Sequence, residues 1–185
     1  MINEVFFPGL GLELTLNRVA FHVFGRPVYW YGIIIASGLL LAVWLCSKWG
    51  KRFGITEDQI TDMMLFAVPA ALISIRAYYV IFNLGQYRNA DGSLNWGAVF
   101  RYSDGGLAIY GGIISSILVL LIFCKVRKIN FLAFGDLGVH GLFIGQLVGR
   151  WGNFMNVEAY GGLTTLPWRM CSESIAKEML AQGLT

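Results

Sequence analysis

The thirteen residues from Gly149 to Gly161, GRWGNFMNVEAYG, carry a concentration of groups that can do chemistry. Arg150 brings a guanidinium, whose fork donates two hydrogen bonds at once to an oxyanion. Asn153 and Asn156 bring carboxamides, which both donate and accept. Glu158 adds a carboxylate that can accept hydroxyl protons or fix a guanidinium. Such a set is more than a simple loop among glycines and aromatics needs. It does not suit metal chemistry, because no histidine or carboxylate pair has ligand spacing. No phosphate-binding glycine loop of the Walker type and no GxSxG turn is present.

Two further places stand out. Arg76 interrupts an otherwise apolar stretch, Met63 to Leu84. A cation there is expensive in a membrane, at roughly 2.5–3.5 kcal/mol on insertion scales, so it needs a partner. Three readings are open: an ion pair with Asp104 or Glu158, hydrogen bonds to backbone carbonyls, or a lipid phosphate. The second place is DGGLAIYGGI, Asp104 to Ile113, where two glycine pairs surround Tyr110. Tyr31, in YWYG, lies at a similar point of another apolar run. Tyrosines near an interface often serve only as belt residues, so neither argues alone.

The elements that must position these residues are membrane helices. Of the 185 residues 56% are hydrophobic and only 14% charged, against about a quarter charged in a typical soluble domain. Mean hydropathy is +0.61. The apolar residues come in blocks. Residues 28–47 form a charge-free run of about 30 Å as a helix, the thickness of a bilayer core. Further spans are expected at 63–84, 105–124 and 129–149, giving an all-α, polytopic integral membrane bundle in a single domain. The last span includes Asp136 and His140, the latter read as a packing residue. Gly141, Gly145 and Gly149 recur every four residues, which predicts close helix packing along that stripe.

Basic residues follow the first and third spans, as Lys48, Lys51, Arg52 and Lys125, Arg127, Lys128. The loop after the second span holds only Arg88 and Arg101. This asymmetry predicts an outside N-terminus, with the second loop and the tail 150–185 also outside. The basic clusters lack the length and interleaved aromatics of a nucleic-acid surface. Leu14 to Arg26 alternates apolar and polar residues, equally compatible with an interfacial segment and with strand pairing. Cys46, Cys124 and Cys171 show neither metal spacing nor a reason to pair. On this topology Tyr31, Arg76, Tyr110, Arg150 and Glu158 all fall in the outer half of the membrane. A transporter subunit, with polar groups near the midplane, fits that distribution poorly.

GRWGNFMNVEAYG closely resembles a signature of the bacterial prolipoprotein diacylglyceryl transferases, Gly-Arg-x-Gly-Asn-Phe-x-Asn-x-Glu followed shortly by Gly. YWYG at Tyr29 to Gly32, the Arg76-Ala-Tyr-Tyr-Val stretch and DGGLAIYGGI extend the resemblance over nearly the whole chain. It implies transfer of the diacylglyceryl group of phosphatidylglycerol onto a lipobox cysteine of a secreted precursor at the bacterial plasma membrane, with no cofactor. It further implies catalytic roles for Arg150, Tyr110 and Glu158. Tyr31, Arg76, Asn153, Asn156 and Gly161 are expected to bind substrate. Many members carry histidine where Tyr110 stands here, and a phenol, ionising near about pH 10, is a poor base at neutral pH. The family also continues with further helices, so this chain is expected to represent part of the family's length, either active or catalytically incomplete.

Overall fold

The computed structural model describes residues 2–89, 91–102, 105–181 and 183. Four of its helices are long and apolar enough to cross a membrane: Trp30–Phe53, Glu57–Phe82, Ile109–Arg127 and Phe131–Asn156. Their exposed apolar side chains, Leu65, Phe66, Ile122 and Leu147 among them, suit a lipid-facing surface. The chain is a polytopic helical membrane protein. It divides into two compact units, 1–45 with 139–185, and 46–138.

The first unit opens with two hairpins, so the alternating N-terminal stretch is strand. β1 (Ile2–Phe7) pairs antiparallel with β2 (Leu12–Asn17), and β3 (Val19–Val23) with β4 (Arg26–Tyr29). The chain then enters α1 (Trp30–Gly50). A small core forms on the far side of β1 and β2, where Val5 and Leu16 are buried with Val157 and Ile175. A backbone pair between Phe6 and Cys171, each N–H to the other's carbonyl at 2.8 Å, fixes the returning C-terminal segment there. That segment ends in the short helix here named α6 (Glu173–Ala181).

The second unit is built on α2 (Glu57–Phe82) and α4 (Ile109–Arg127). Thr56 and Gln59 start α2 with a capping box, each side chain taking the other's backbone N–H. Between the helices lie a 3₁₀ turn (Leu84–Tyr87) and the one-turn helix α3 (Trp96–Val99). α4 packs tightly on α2 because Gly111 and Gly112 carry no side chain. A Cβ on Gly111 would stand 2.1 Å from the Ser74 carbonyl oxygen, and one on Gly112 2.9 Å from Ile75 Cγ1. Arg127 Nη2 pairs with Asp62 Oδ2 at 2.8 Å near the other end of the same two helices. The turn after α4 leads into α5 (Phe131–Asn156), whose first N–H groups are accepted by Asn130 Oδ1.

Several boundaries differ from the sequence reading, three of them beside candidate site residues. α4 starts at Ile109 rather than 105, because Gly105 and Gly106 take left-handed φ values of 77° and 73°. Tyr110 therefore sits in the first helical turn, not five residues below its end. α2 ends at Phe82, which leaves Arg76 six residues, about 9 Å, from that end. α5 runs two turns beyond 149, so Arg150, Asn153 and Asn156 are helical residues. The glycine stripe differs as well. An added Cβ on Gly145 would meet nothing within 4 Å, and one on Gly149 only Ile35 Cδ1 at 3.6 Å. Close approach occurs instead at Gly111, at Gly112, and at Gly38, whose Cβ would stand 3.0 Å from Val148.

Candidate functional site

In the first unit the polar residues gather where α5 ends. Val157 N–H bonds the Phe154 carbonyl and Glu158 N–H the Asn153 carbonyl, both at 3.0 Å, so the helix closes with a tight turn. Val157 and Ala159 both adopt φ of 55°, and Gly161 has φ of 87°. A left-handed β-branched residue is a genuine outlier and costs about 1–3 kcal/mol. Burial of the Val157 side chain among Val5, Leu16 and Ile175 offsets that strain. The hydrophobic anchor thus holds the turn that presents Asn156 and Glu158.

Asn156 Nδ2 donates to Glu158 Oε1 at 3.3 Å. Its carbonyl accepts a hydrogen bond from Arg18 Nη2, which reaches across from the link between β2 and β3. Tyr31, in the first turn of α1, lays its ring against α5 at Gly152, where a Cβ would stand 3.0 Å from Tyr31 Cδ2. Only glycine there allows the two helices to meet in this way. Arg18, Tyr31 and Asn156 line an open groove of about 740 Å³, whose remaining walls include Val28, Ile33 and Ala36. Its lining is mostly apolar, with Arg18, Tyr31 and Asn156 supplying the polar groups. Arg150 and Glu158 are exposed at the same end of α5, and Arg150 makes no hydrogen bond to a described residue. Tyr160, inside the same motif, bonds the Glu178 carboxylate, which pushes its phenol above the usual value.

The second unit holds Arg76 and Tyr110. Arg76 is 4% exposed and its five N–H donors are all engaged by backbone oxygens. Nε donates to Val99 at 2.8 Å, Nη1 to Gly105 at 2.6 Å and Gly106 at 2.9 Å, and Nη2 to Ala98 at 2.8 Å and Arg101 at 3.0 Å. The rings of Tyr87 and Tyr102 flank it, with centroids 5.2 and 5.8 Å from its Cζ. Of the three readings open for Arg76, the backbone-carbonyl partner is the one realised, and no donor is left for a phosphate in this arrangement. Asp104, one of the other candidates, lies outside the described residues. Tyr110 is exposed, its ring 6.4 Å from that of Tyr78, which stacks on Phe82.

Of the residues singled out in the sequence, Tyr31 and Asn156 share the groove, with Asn153 in the last turn of α5 and Glu158 and Gly161 in the segment that follows it. Arg76 and Tyr110 belong to the other unit. Arg18 escaped the sequence reading. The signal was a cation at the break between two strand-like stretches, Leu12–Asn17 and Val19–Val23.

The first unit thus brings Arg18, Tyr31 and Asn156 into one largely apolar groove of a membrane protein. The chain belongs to the prolipoprotein diacylglyceryl transferase family, whose sequence model matches residues 18–182. It is 46% identical over 156 residues to a protein of Bacillus cytotoxicus named phosphatidylglycerol–prolipoprotein diacylglyceryl transferase, covering 84% of this chain and 56% of that relative. Proteins of the same name from Clostridioides difficile (42% over 160 residues, 86% of this chain and 62% of theirs) and Enterococcus faecalis (47% over 150, 81% and 52%) are similarly related. The chain spans half to three fifths of the length of these curated relatives.

Proposed function

We propose that this chain carries out, at the bacterial plasma membrane, the transfer named in its relatives: the diacylglyceryl group of phosphatidylglycerol passes to the thiol of a prolipoprotein's lipobox cysteine. The sulfur bonds the glyceryl carbon as the carbon–oxygen bond to phosphate breaks. Glycerol 1-phosphate leaves with the bonding electrons, and the thiol proton ends on the departing phosphate or in solvent. The observation that supports this reading best is the largely apolar groove to which Tyr31 and Asn156 bring polar groups, a lining that suits an amphiphile.

Negative charge grows on the leaving phosphate, so a fixed cation is the expected catalytic device. Arg150, exposed and without a partner among the described residues, takes that role. Asn153 and Glu158 orient headgroup hydroxyls or the Arg150 guanidinium. Asn156 and Gly161 shape the binding turn, and Tyr31 lines the donor's path. Tyr110, in its exposed first-turn position, orients substrate rather than taking the proton. Arg76 acts indirectly, by holding backbone. The site faces the outer leaflet, following the Lys and Arg distribution.

The test is a mass shift. The chain is reconstituted with phosphatidylglycerol and a lipobox peptide, and the peptide is weighed. A diacylglyceryl adduct on the cysteine supports the reading. Absence of an adduct, with the chain folded and the lipid present, overturns it for this chain.

A further inference from the structure

Arg18 is placed as Arg76 is not. One of its donors, on Nη2, reaches the Asn156 carbonyl. Its Nε is enclosed by protein yet meets no acceptor. No other hydrogen bond or ion pair joins its guanidinium to a described residue. A charged donor shut away from water without an acceptor is unfavourable and calls for one. The natural acceptor for a guanidinium is a planar or tetrahedral oxyanion. Arg18 lines the groove of about 740 Å³ beside Tyr31 and Asn156, with Val28, Ile33 and Ala36 giving it apolar walls. A free anion would use the polar groups of that groove and leave its apolar walls unsatisfied. An anionic amphiphile uses both.

We infer that Arg18 is a headgroup-recognition residue: with Tyr31 and Asn156 it receives the phosphoryl group of an anionic lipid whose chains lie along the apolar walls of the groove. This rests on the function proposed above and adds a residue to it. Arg18 does two things at once. It ties the Asn156 carbonyl, and so the turn after α5, to the link between β2 and β3. Its other Nη donors then meet the phosphoryl oxygens, with Nε, enclosed by protein, behind them. Headgroup charge, rather than chain length, is what Arg18 selects.

The experiment compares binding of phosphatidylglycerol with binding of a diacylglycerol of the same chains, which lacks the phosphate, to the chain in lipid nanodiscs. Wild type, Arg18→Gln and Arg18→Lys are measured alongside each other. The expected result is a preference for phosphatidylglycerol in wild type that falls about tenfold in Arg18→Gln, the effect of losing one charge-assisted contact. Diacylglycerol binding stays as it was, and Arg18→Lys recovers part of the preference. A purely structural tie to Asn156 would change both lipids alike. Glycerol phosphate in the aqueous phase separates the two sources of a phosphoryl group. Competition only from the membrane lipid supports the lipid headgroup as the occupant. Equal competition from the soluble ester overturns the lipid assignment. If wild type prefers phosphatidylglycerol and Arg18→Gln keeps that preference, the inference about Arg18 falls alone. If wild type shows no preference, the proposed function falls with it.

Discussion

Arg76 Nη1 donates to the Gly106 carbonyl at 2.9 Å and lies 2.7 Å from where a Cβ on Gly106 would stand. Glycine at 106, with φ of 73°, is therefore required twice, by the backbone turn and by the guanidinium resting on it. The loop after α2 folds over Arg76 and hides the cation inside a cage of carbonyls. A lone arginine in an apolar helix becomes tolerable because its environment is main chain rather than lipid.

Arg76→Lys is expected to destabilise the second unit by about 2–4 kcal/mol. A lysine keeps the charge but offers three donors in place of five, leaving enclosed carbonyls unmatched. Thermal unfolding in detergent measures the loss. Trypsin should also cut faster after Arg88 and Arg101. An unchanged melting curve would show that the carbonyl cage adds nothing to stability.

Gly111→Ala should separate α4 from α2, since the new carbon would fall 2.1 Å from the Ser74 oxygen. The Ser74 carbonyl is helix backbone and cannot rotate away, so a cost of about 3 kcal/mol or more is expected. Gly138→Ala, where nothing lies within 4 Å, is the matched control. It should leave the melting temperature nearly unchanged. Equal behaviour of the two would refute the close approach.

Arg150→Ala is expected to lower transfer at least about a hundredfold, the scale of losing one group aimed at developing charge. Its exposed place near the end of α5 makes it dispensable for crossing the membrane. Membrane-fraction yield should match wild type while adduct formation stops. Normal turnover would exclude Arg150 as the phosphate's counter-charge.

Tyr110→Phe keeps the ring that faces Tyr78 and removes only the hydroxyl. Initial rates with the lipobox peptide should fall about two- to tenfold, the scale of one neutral hydrogen bond. A rate indistinguishable from wild type would make the hydroxyl irrelevant. A complete loss would instead make Tyr110 the proton acceptor.

The spans were legible because a bilayer imposes length and composition on the sequence itself. Within Val28 to Ser47, all but Val28 and Tyr29, which end β4, fall in α1. The ends of the spans were less legible. Arg150 and Asn153 look like the start of a loop when polarity is the guide, yet a helix whose end meets water needs no apolar residue there, and α5 continues to Asn156. The partner of Arg76 was legible only as a class, because a carbonyl oxygen belongs to every residue and leaves no mark on the sequence. The Gly141–Gly149 spacing suggested packing that Gly145 does not make, since a four-residue repeat says nothing of whether a neighbour is there. Arg18 was overlooked because its meaning depends on the Asn156 carbonyl, 138 positions away.

The backbone pair between Phe6 and Cys171 sets an order of events during synthesis. β1 and β2 precede all four membrane helices in the chain, but the surface they complete includes Val157, Ile175 and Cys171, which follow those helices. Until then all four helices must already have been threaded into the bilayer, while Val5 and Leu16 wait without their core. The β1–β2 hairpin is thus finished only after the fourth helix has emerged, and the turn carrying Asn156 and Glu158 takes its shape only when that hairpin meets Val157 and Ile175.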